Sequence, residues 1–162
     1  MGGRGGASGM NDAWKNEIPK LNEYQHILKR QLPELQGSEK QVKWAKEIRD
    51  NLGEDLWRYV ISRTSDGKPS GIYNILSKQG IKGAIQDIEK SVNLFSGSER
   101  QSNNRKKEII NRRLLSYKEL ARRIKKYNEI MSNRSAAFWI DNRRNSQRNY
   151  MNERLKKIID EA

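Results

Sequence analysis

The chain lacks cysteine and has a single histidine, His26, and these two shortages exclude several kinds of site. Without thiols the protein forms no disulfide bond and no thiolate metal site, and nothing points to an oxidising compartment. A lone histidine is typical of a surface or packing residue, because a metal site or a nucleophile with its base needs partner residues. We therefore expect no cofactor, no bound metal and no enzymatic activity.

Long apolar segments are also missing. No run approaches the roughly 20 residues that a membrane-spanning helix needs, and no signal-peptide core follows Met1. We expect no membrane association and a cytoplasmic location. Leu, Ile, Val and Phe supply only 33 of the 162 residues. This content lies at the edge of that found in disordered chains, so the spacing of these residues has to show whether the chain folds.

Positive charge is what the chain has in excess. Lys and Arg number 33 against 20 Asp and Glu, and from residue 98 onward the counts are 18 against 8. The C-terminal part thus carries +10 of the net charge of +13. An asymmetry of this size indicates a polyanionic partner and says little about the fold.

Apolar residues recur at intervals of three and four along most of the chain, which predicts an all-α fold. A first helix is predicted over residues 11–32, where apolar residues recur at helical spacing, and Pro33 ends this pattern. A second begins at Ser38, which forms a capping box with Gln41, and ends at Gly53. Each of these signals is local, since it depends on residues within one helical turn.

Later in the chain, Gly80 is predicted to end one short helix before another begins. The longest periodic segment then runs from Ser98 to about Met131, and Asn128 occupies one position of its apolar seam. This seam would serve either for packing within the chain or for a homodimer through residues 110–131. Its apolar members are Ile110, Leu114, Tyr117, Ala121, Ile124 and Met131.

Three regions follow from these patterns. Residues 1–10 contain five glycines and are expected to form a disordered tail. Residues 11–97 are expected to form a compact N-terminal helical unit. Residues 98–162 are expected to form a hairpin of the long basic helix and a C-terminal helix capped by Ser135, continuous with the preceding unit.

The basic side chains of the last region are predicted to lie away from the seam, where they would form one surface for a phosphate backbone. Arginine predominates, and its planar guanidinium suits bidentate contact with phosphate. The alternative is a solvated face with charges paired along the helix, as Glu108 with Arg112 and Glu119 with Arg123. The predicted nucleic-acid-binding residues are Arg105, Arg112, Arg122, Arg123, Lys126, Arg134, Arg143, Arg144 and Arg148.

Four aromatic residues, Trp44, Trp57, Phe138 and Trp139, allow two interpretations. They are either anchors of the core, which is the more common use of aromatic residues at helical spacing, or platforms on which single-stranded bases stack. No recognised DNA-binding motif is present, so base-specific readout is not predicted.

Two stretches, LPELQGSEKQVKWAKEIR at 32–49 and SAAFWIDNR at 135–143, resemble a pair of motifs found together in small, mostly uncharacterised phage, prophage and bacterial proteins. The resemblance implies a mobile-element setting inside a bacterial host cell, in which small basic proteins often bind nucleic acid or obstruct a host defence nucleoprotein such as a CRISPR effector. We expect the two motifs to pack together, with Arg49 near enough to Asp141 to pair with it.

The sequence thus leads to two functional hypotheses. The first is a basic helical protein that binds nucleic acid or a host nucleoprotein, and that inhibits a host defence complex by occupancy in the manner of an anti-CRISPR protein. The alternative is a structural or assembly protein, a scaffold-like helical protein whose charge serves an acidic protein partner.

Overall fold

The computed structural model describes residues 12–27, 31–62, 70–95, 103–143 and 153–161. Within these ranges the fold is all-α, as predicted. Two short 3-10 helices, Ala13–Glu17 and Leu21–Tyr24, come first. They are followed by the α-helices α1 (Glu39–Ser62), α2 (Gly71–Phe95), α3 (Asn103–Met131), α4 (Ala136–Asp141) and α5 (Glu153–Asp160).

The chain divides into two compact units. Unit 1 comprises Met1–Tyr24 and Gly71–Ala121, and unit 2 comprises Gln25–Ser70 and Arg122–Ala162. The long helix α3 therefore contributes residues to both units. The predicted tail 1–10 and the predicted boundary between 97 and 98 lie outside the described residues.

The predicted first helix over 11–32 is wrong, because Pro19 interrupts it. Ile18 precedes this proline and adopts an extended conformation, with φ −68° and ψ 126°. A residue before proline is pushed out of the helical region by the proline ring. The segment accordingly forms the two short 3-10 helices on either side of Pro19, and it buries Trp14 and Tyr24 in unit 1.

The start of α1 confirms the predicted capping box. The Ser38 N–H donates to Oε1 of Gln41 at 3.1 Å, and the Gln41 N–H donates to Oγ of Ser38 at 3.2 Å. The predicted end at Gly53 is wrong, because α1 continues to Ser62. Gly53 is buried inside the helix, and a Cβ atom there would lie 2.5 Å from Cε of Met131. Close packing against α3 therefore explains this glycine, and no helix end is needed.

Unit 1 is built from the 3-10 helices, α2 and the first part of α3. Gly80 breaks the helical conformation of α2 as predicted, with φ 66° and ψ −157°. A half-buried network centres on Asp87, which accepts hydrogen bonds from Arg113 and from the Tyr117 hydroxyl. The Tyr24 hydroxyl donates to the Tyr117 carbonyl at 3.1 Å.

Unit 2 is built around α1. Helices α4 and α5 both contact α1. The C-terminal part thus returns onto the earlier helices as predicted, but it does so as two separate helices. Trp139 of α4 is fully buried, and its indole N–H donates to the Asn133 carbonyl at 3.0 Å. The predicted cap at Ser135 is confirmed, since its Oγ accepts from the Phe138 N–H.

The apolar seam of α3 is confirmed as a buried face. All six of its predicted apolar members are buried within the single chain, which favours the alternative of packing within the chain over a homodimer through this seam. Asn128 fixes the segment before α1, because its side chain accepts from the Ile27 N–H at 3.1 Å and donates to the Gln25 carbonyl at 3.0 Å. None of the helices in the described ranges is long and apolar enough to cross a membrane.

Candidate nucleic-acid interface

Two of the predicted basic residues, Arg105 and Arg112, lie on α3 within unit 1. The Arg105 guanidinium is 3.2 Å from the Glu108 carboxylate, so part of its charge is paired along the helix. Arg112 is exposed. The structure therefore leaves Arg112 accessible to an anionic partner and gives Arg105 the local pairing that the solvated-face alternative describes.

A groove of about 490 Å³ lies in unit 2, where the last turns of α3 meet α5. Arg122, Lys125 and Lys126 of α3 line it together with Ile158 of α5. Arg122 and Lys125 are exposed, whereas Lys126 is half-buried and lies 3.0 Å from the Glu129 carboxylate. We call this feature the basic groove.

Two carboxylates, Glu129 and Glu161, share the basic groove with the three cations. Lys125 was not among the predicted residues. The signal for it was present, because Lys125 lies three residues after Arg122 and so falls on the same face of the helix. The basic groove therefore holds two of the predicted cations and one that the sequence analysis missed.

Arg123 is a predicted residue that the structure buries. Only 7% of it is exposed. Its guanidinium donates to the Val60 carbonyl at 3.3 Å, to the Tyr59 carbonyl at 3.1 Å and to the Asp160 carboxylate at 2.8 Å. The prediction that Arg123 faces the solvent, opposite the seam, is wrong. Both α1 and α5 contact this part of α3, so the buried face of the helix is wider here than the single apolar seam that the sequence shows.

The surroundings of Arg123 also shift the acidity of its neighbours. The Tyr59 hydroxyl donates to Asp160 at 2.6 Å. Partial burial alone would raise the pKa of Asp160, but the hydrogen bonds from Tyr59 and Arg123, with the nearby positive charges, hold that pKa below its usual value. Burial, with the Asp160 hydrogen bond, raises the pKa of Tyr59. The cluster therefore keeps Asp160 ionised and Tyr59 neutral.

Arg134 and Arg143 are both exposed and flank α4. The Arg143 guanidinium lies 5.0 Å from the centre of the Trp44 ring and donates to the Ile140 carbonyl at 2.6 Å. Arg144 and Arg148 lie outside the described residues. The backbone near Arg134 joins the two sequence motifs, because the Gln36 N–H donates to the Arg134 carbonyl at 2.7 Å.

The contact between the two motifs is confirmed, and one detail of it is corrected. Helix α4 packs on α1, and the Ala136 N–H donates to the Gln36 carbonyl at 3.0 Å. Arg49, however, is buried and donates to the Pro33 carbonyl at 2.8 Å, whereas Asp141 is exposed. The expected pairing of these two residues is replaced by an arginine–carbonyl contact, and burial lowers the pKa of Arg49.

An aromatic cluster in unit 2 contains the lone histidine. The rings of His26 and Trp57 are stacked with centres 4.1 Å apart, and Nε2 of His26 is 2.8 Å from the Tyr127 hydroxyl. The cluster borders a small cavity of about 140 Å³. Partial burial lowers the pKa of His26, which favours the neutral form of its ring. Among the described residues, no group of three or more His, Cys, Asp or Glu could hold a metal ion.

The two units differ in charge. Unit 2 carries 20 Lys and Arg against 12 Asp and Glu, and unit 1 carries 13 against 8. The larger excess, +8, thus falls on the unit that contains the basic groove.

Comparison of the chain with protein-family models, with curated proteins and with solved structures gives no match.

Proposed function

We propose that the protein binds nucleic acid, alone or within a host nucleoprotein, and that the basic groove of unit 2 contacts the phosphate backbone. The observation that carries this proposal is the convergence of Arg122, Lys125 and Lys126 on one open groove. Neutralising phosphates with Lys and Arg releases counterions, and this sequence-independent effect supplies most of the affinity of such proteins.

The geometry favours backbone contact over base readout. Arg122 and Lys125 are exposed and carry flexible side chains, which suits contact with phosphates in more than one register. Glu129 and Glu161 lie at the same groove and keep its net charge low. The expected affinity is therefore modest and depends strongly on salt concentration.

The biological setting that the two motifs suggest makes the proposal more specific. A small protein that covers nucleic acid, or the nucleic-acid channel of a defence complex, inhibits that complex by occupying the site. No chemical step is required of it. Purification of the protein from its own host and identification of the bound nucleic acid or nucleoprotein would test this part of the proposal.

The groove itself is tested by salt-dependent binding of labelled single-stranded and duplex oligonucleotides to two charge-matched variants. The first variant changes Arg122, Lys125 and Lys126 to Ala. The second makes the same change at three exposed lysines of α2 in unit 1, which are Lys78, Lys82 and Lys90. Both variants lose three positive charges, so the two have the same net charge and differ only in where the charge was removed.

We expect the groove variant to bind weakly. A plot of the logarithm of its binding constant against the logarithm of the salt concentration should be shallower by about 0.9 for each duplex phosphate contact removed. The α2 variant should keep nearly the full slope. Equal losses in both variants would show that only net charge matters and would contradict the groove. If the wild-type protein binds neither oligonucleotide at low salt, the proposal of nucleic-acid binding is wrong, and an acidic protein partner becomes the better hypothesis.

A further inference from the structure

Trp44 differs from the buried tryptophans of the chain in its exposure. Trp44 is 47% exposed, whereas Trp14 is 7% exposed and Trp139 is fully buried. An indole that stays half in water contributes less to the core than its size allows. Among the four tryptophans, Trp14 and Trp139 are thus core anchors, Trp57 is half-buried, and Trp44 has an accessible ring.

The accessible ring lies near the capped start of α1, beside Arg143. Trp44 follows the capped first turn of α1, and its neighbour Ala45 is fully buried. Arg143 lies over the ring with its guanidinium carbon 5.0 Å from the ring centre. The hydrogen bond from Arg143 to the Ile140 carbonyl fixes that guanidinium in turn. A flat surface and a planar cation are therefore placed together before any ligand arrives.

Two lysines lie near this ring on its own helix. Lys40 lies four residues before Trp44 and so falls on the same face of α1. Lys43 is exposed beside it. Glu47 and Asp141 are the acidic residues nearest in sequence on α1 and α4, and both are exposed. The arrangement combines a π surface with cations, which is the combination used for binding single strands.

We propose that Trp44 and Arg143 form a stacking platform for an unpaired base, so that the protein prefers single-stranded nucleic acid to duplex. This inference rests on the proposed function, and it names the substrate class. In a duplex both faces of every base are covered by neighbouring bases, and a protein reaches only the base edges. A single strand can unstack a base onto Trp44 while its phosphates contact Arg143 and Lys40.

The test compares two single-stranded ligands of equal length and charge. One is an oligothymidylate, and the other is an abasic oligonucleotide with the same phosphates and no bases. Wild-type protein should bind the oligothymidylate more tightly. Trp44→Ala should weaken binding of the oligothymidylate roughly 5- to 150-fold, which corresponds to the loss of one stacked base, and should leave binding of the abasic ligand nearly unchanged.

Two further variants keep the result interpretable. Trp44→Phe retains an aromatic face and should restore most of the lost affinity, even if Trp44→Ala lowers stability. Leu115→Ala removes an apolar side chain of similar exposure from unit 1, where 48% of Leu115 is exposed, and should change neither affinity.

The outcomes separate the stacking platform from the proposed function. Equal affinity of the wild-type protein for both ligands, or an equal loss on both ligands in Trp44→Ala, would overturn the platform and leave backbone binding in place. Tighter binding of a duplex than of the oligothymidylate at matched salt would also overturn it. Failure to bind either single strand or the duplex would overturn both proposals.

Discussion

The Arg123 guanidinium donates to the Asp160 carboxylate at 2.8 Å and so joins α3 to α5 within unit 2. The same guanidinium donates to the carbonyls of Tyr59 and Val60, which belong to the last four residues of α1. Carbonyls in that position have no partner inside their own helix. Arg123 therefore satisfies the end of α1 and holds α5 in place.

The first prediction follows from this contact. Arg123→Ala should lower the free energy of unfolding by about 2–3 kcal/mol, because two helix-end carbonyls lose their donor and the Asp160 carboxylate loses its partner. Half of the Asp160 side chain is exposed, so water replaces part of that last contact. Urea denaturation measures the change.

Arg122→Ala is the matched control, because Arg122 is the exposed neighbour of Arg123 in the same helix. Its unfolding free energy should stay within about 0.5 kcal/mol of the wild-type value. In oligonucleotide binding the order should reverse, with Arg122→Ala the weaker binder. Equal stability of the two variants would contradict the structural role assigned to Arg123.

Local signals in the sequence predict a large part of the fold. The capping box at Ser38, the cap at Ser135 and the break at Gly80 each depend on residues within one turn, and all three are confirmed. Pro19 is a local signal that was missed, and its effect on Ile18 removes the predicted first helix. Such errors can be corrected without knowledge of the tertiary structure.

Tertiary packing decides the remaining differences. Gly53 lies inside a helix, where the absence of a side chain leaves room for Met131 of another helix, and no pattern within α1 indicates that contact. Arg123 is buried because α1 and α5 both cover its part of α3. For the candidate site, periodicity found Arg122 and Lys126, but only the position of α5 shows that they line a groove.

A second prediction concerns the pH dependence of stability. Burial lowers the pKa of His26 in the folded protein below its usual value of 6.5, so the unfolded chain binds this proton more readily. The stabilising effect of the neutral ring is complete above pH 6.5. It is lost as the pH falls from there through the lowered pKa of the folded state.

His26→Gln should remove this dependence, because His26 is the one histidine of the chain. The difference in melting temperature between pH 7 and pH 5 should be smaller in the variant than in the wild-type protein. The Tyr127 hydroxyl donates to the Gly53 carbonyl at 3.2 Å, so it accepts from His26 in either protonation state, and desolvation is the main effect. Parallel curves for the two proteins would contradict this account.

The third prediction tests the close approach of Gly53 and Met131. In the wild-type background, Gly53→Ala gains helix propensity but places a methyl group against Cε of Met131. The two effects oppose each other, so little net stabilisation is expected. In a Met131→Ala background the obstruction is absent, and Gly53→Ala should stabilise the protein by about 1 kcal/mol.

A double-mutant cycle in urea measures this coupling. The interaction energy between the two sites should favour the double variant, because each change relieves the cost of the other. Additive effects would show that Met131 does not restrict the side chain at position 53. The presence of a glycine inside α1 would then need another explanation.

The fourth prediction contrasts two tryptophans of unit 2. Trp139 is fully buried and donates from its indole to the Asn133 carbonyl, whereas Trp44 is 47% exposed. Trp139→Ala should lower the unfolding free energy by about 3–5 kcal/mol, and Trp44→Ala by no more than about 1.5 kcal/mol. Thermal denaturation of the two variants followed by circular dichroism provides the comparison.

A similar loss in both would mean that Trp44 also anchors the contact between α1 and α4, and its half-exposed ring would then serve packing and not the stacking of a base. A large loss at Trp139 alone separates the two roles, because it assigns the stability of this contact to one ring and leaves the other accessible to a ligand.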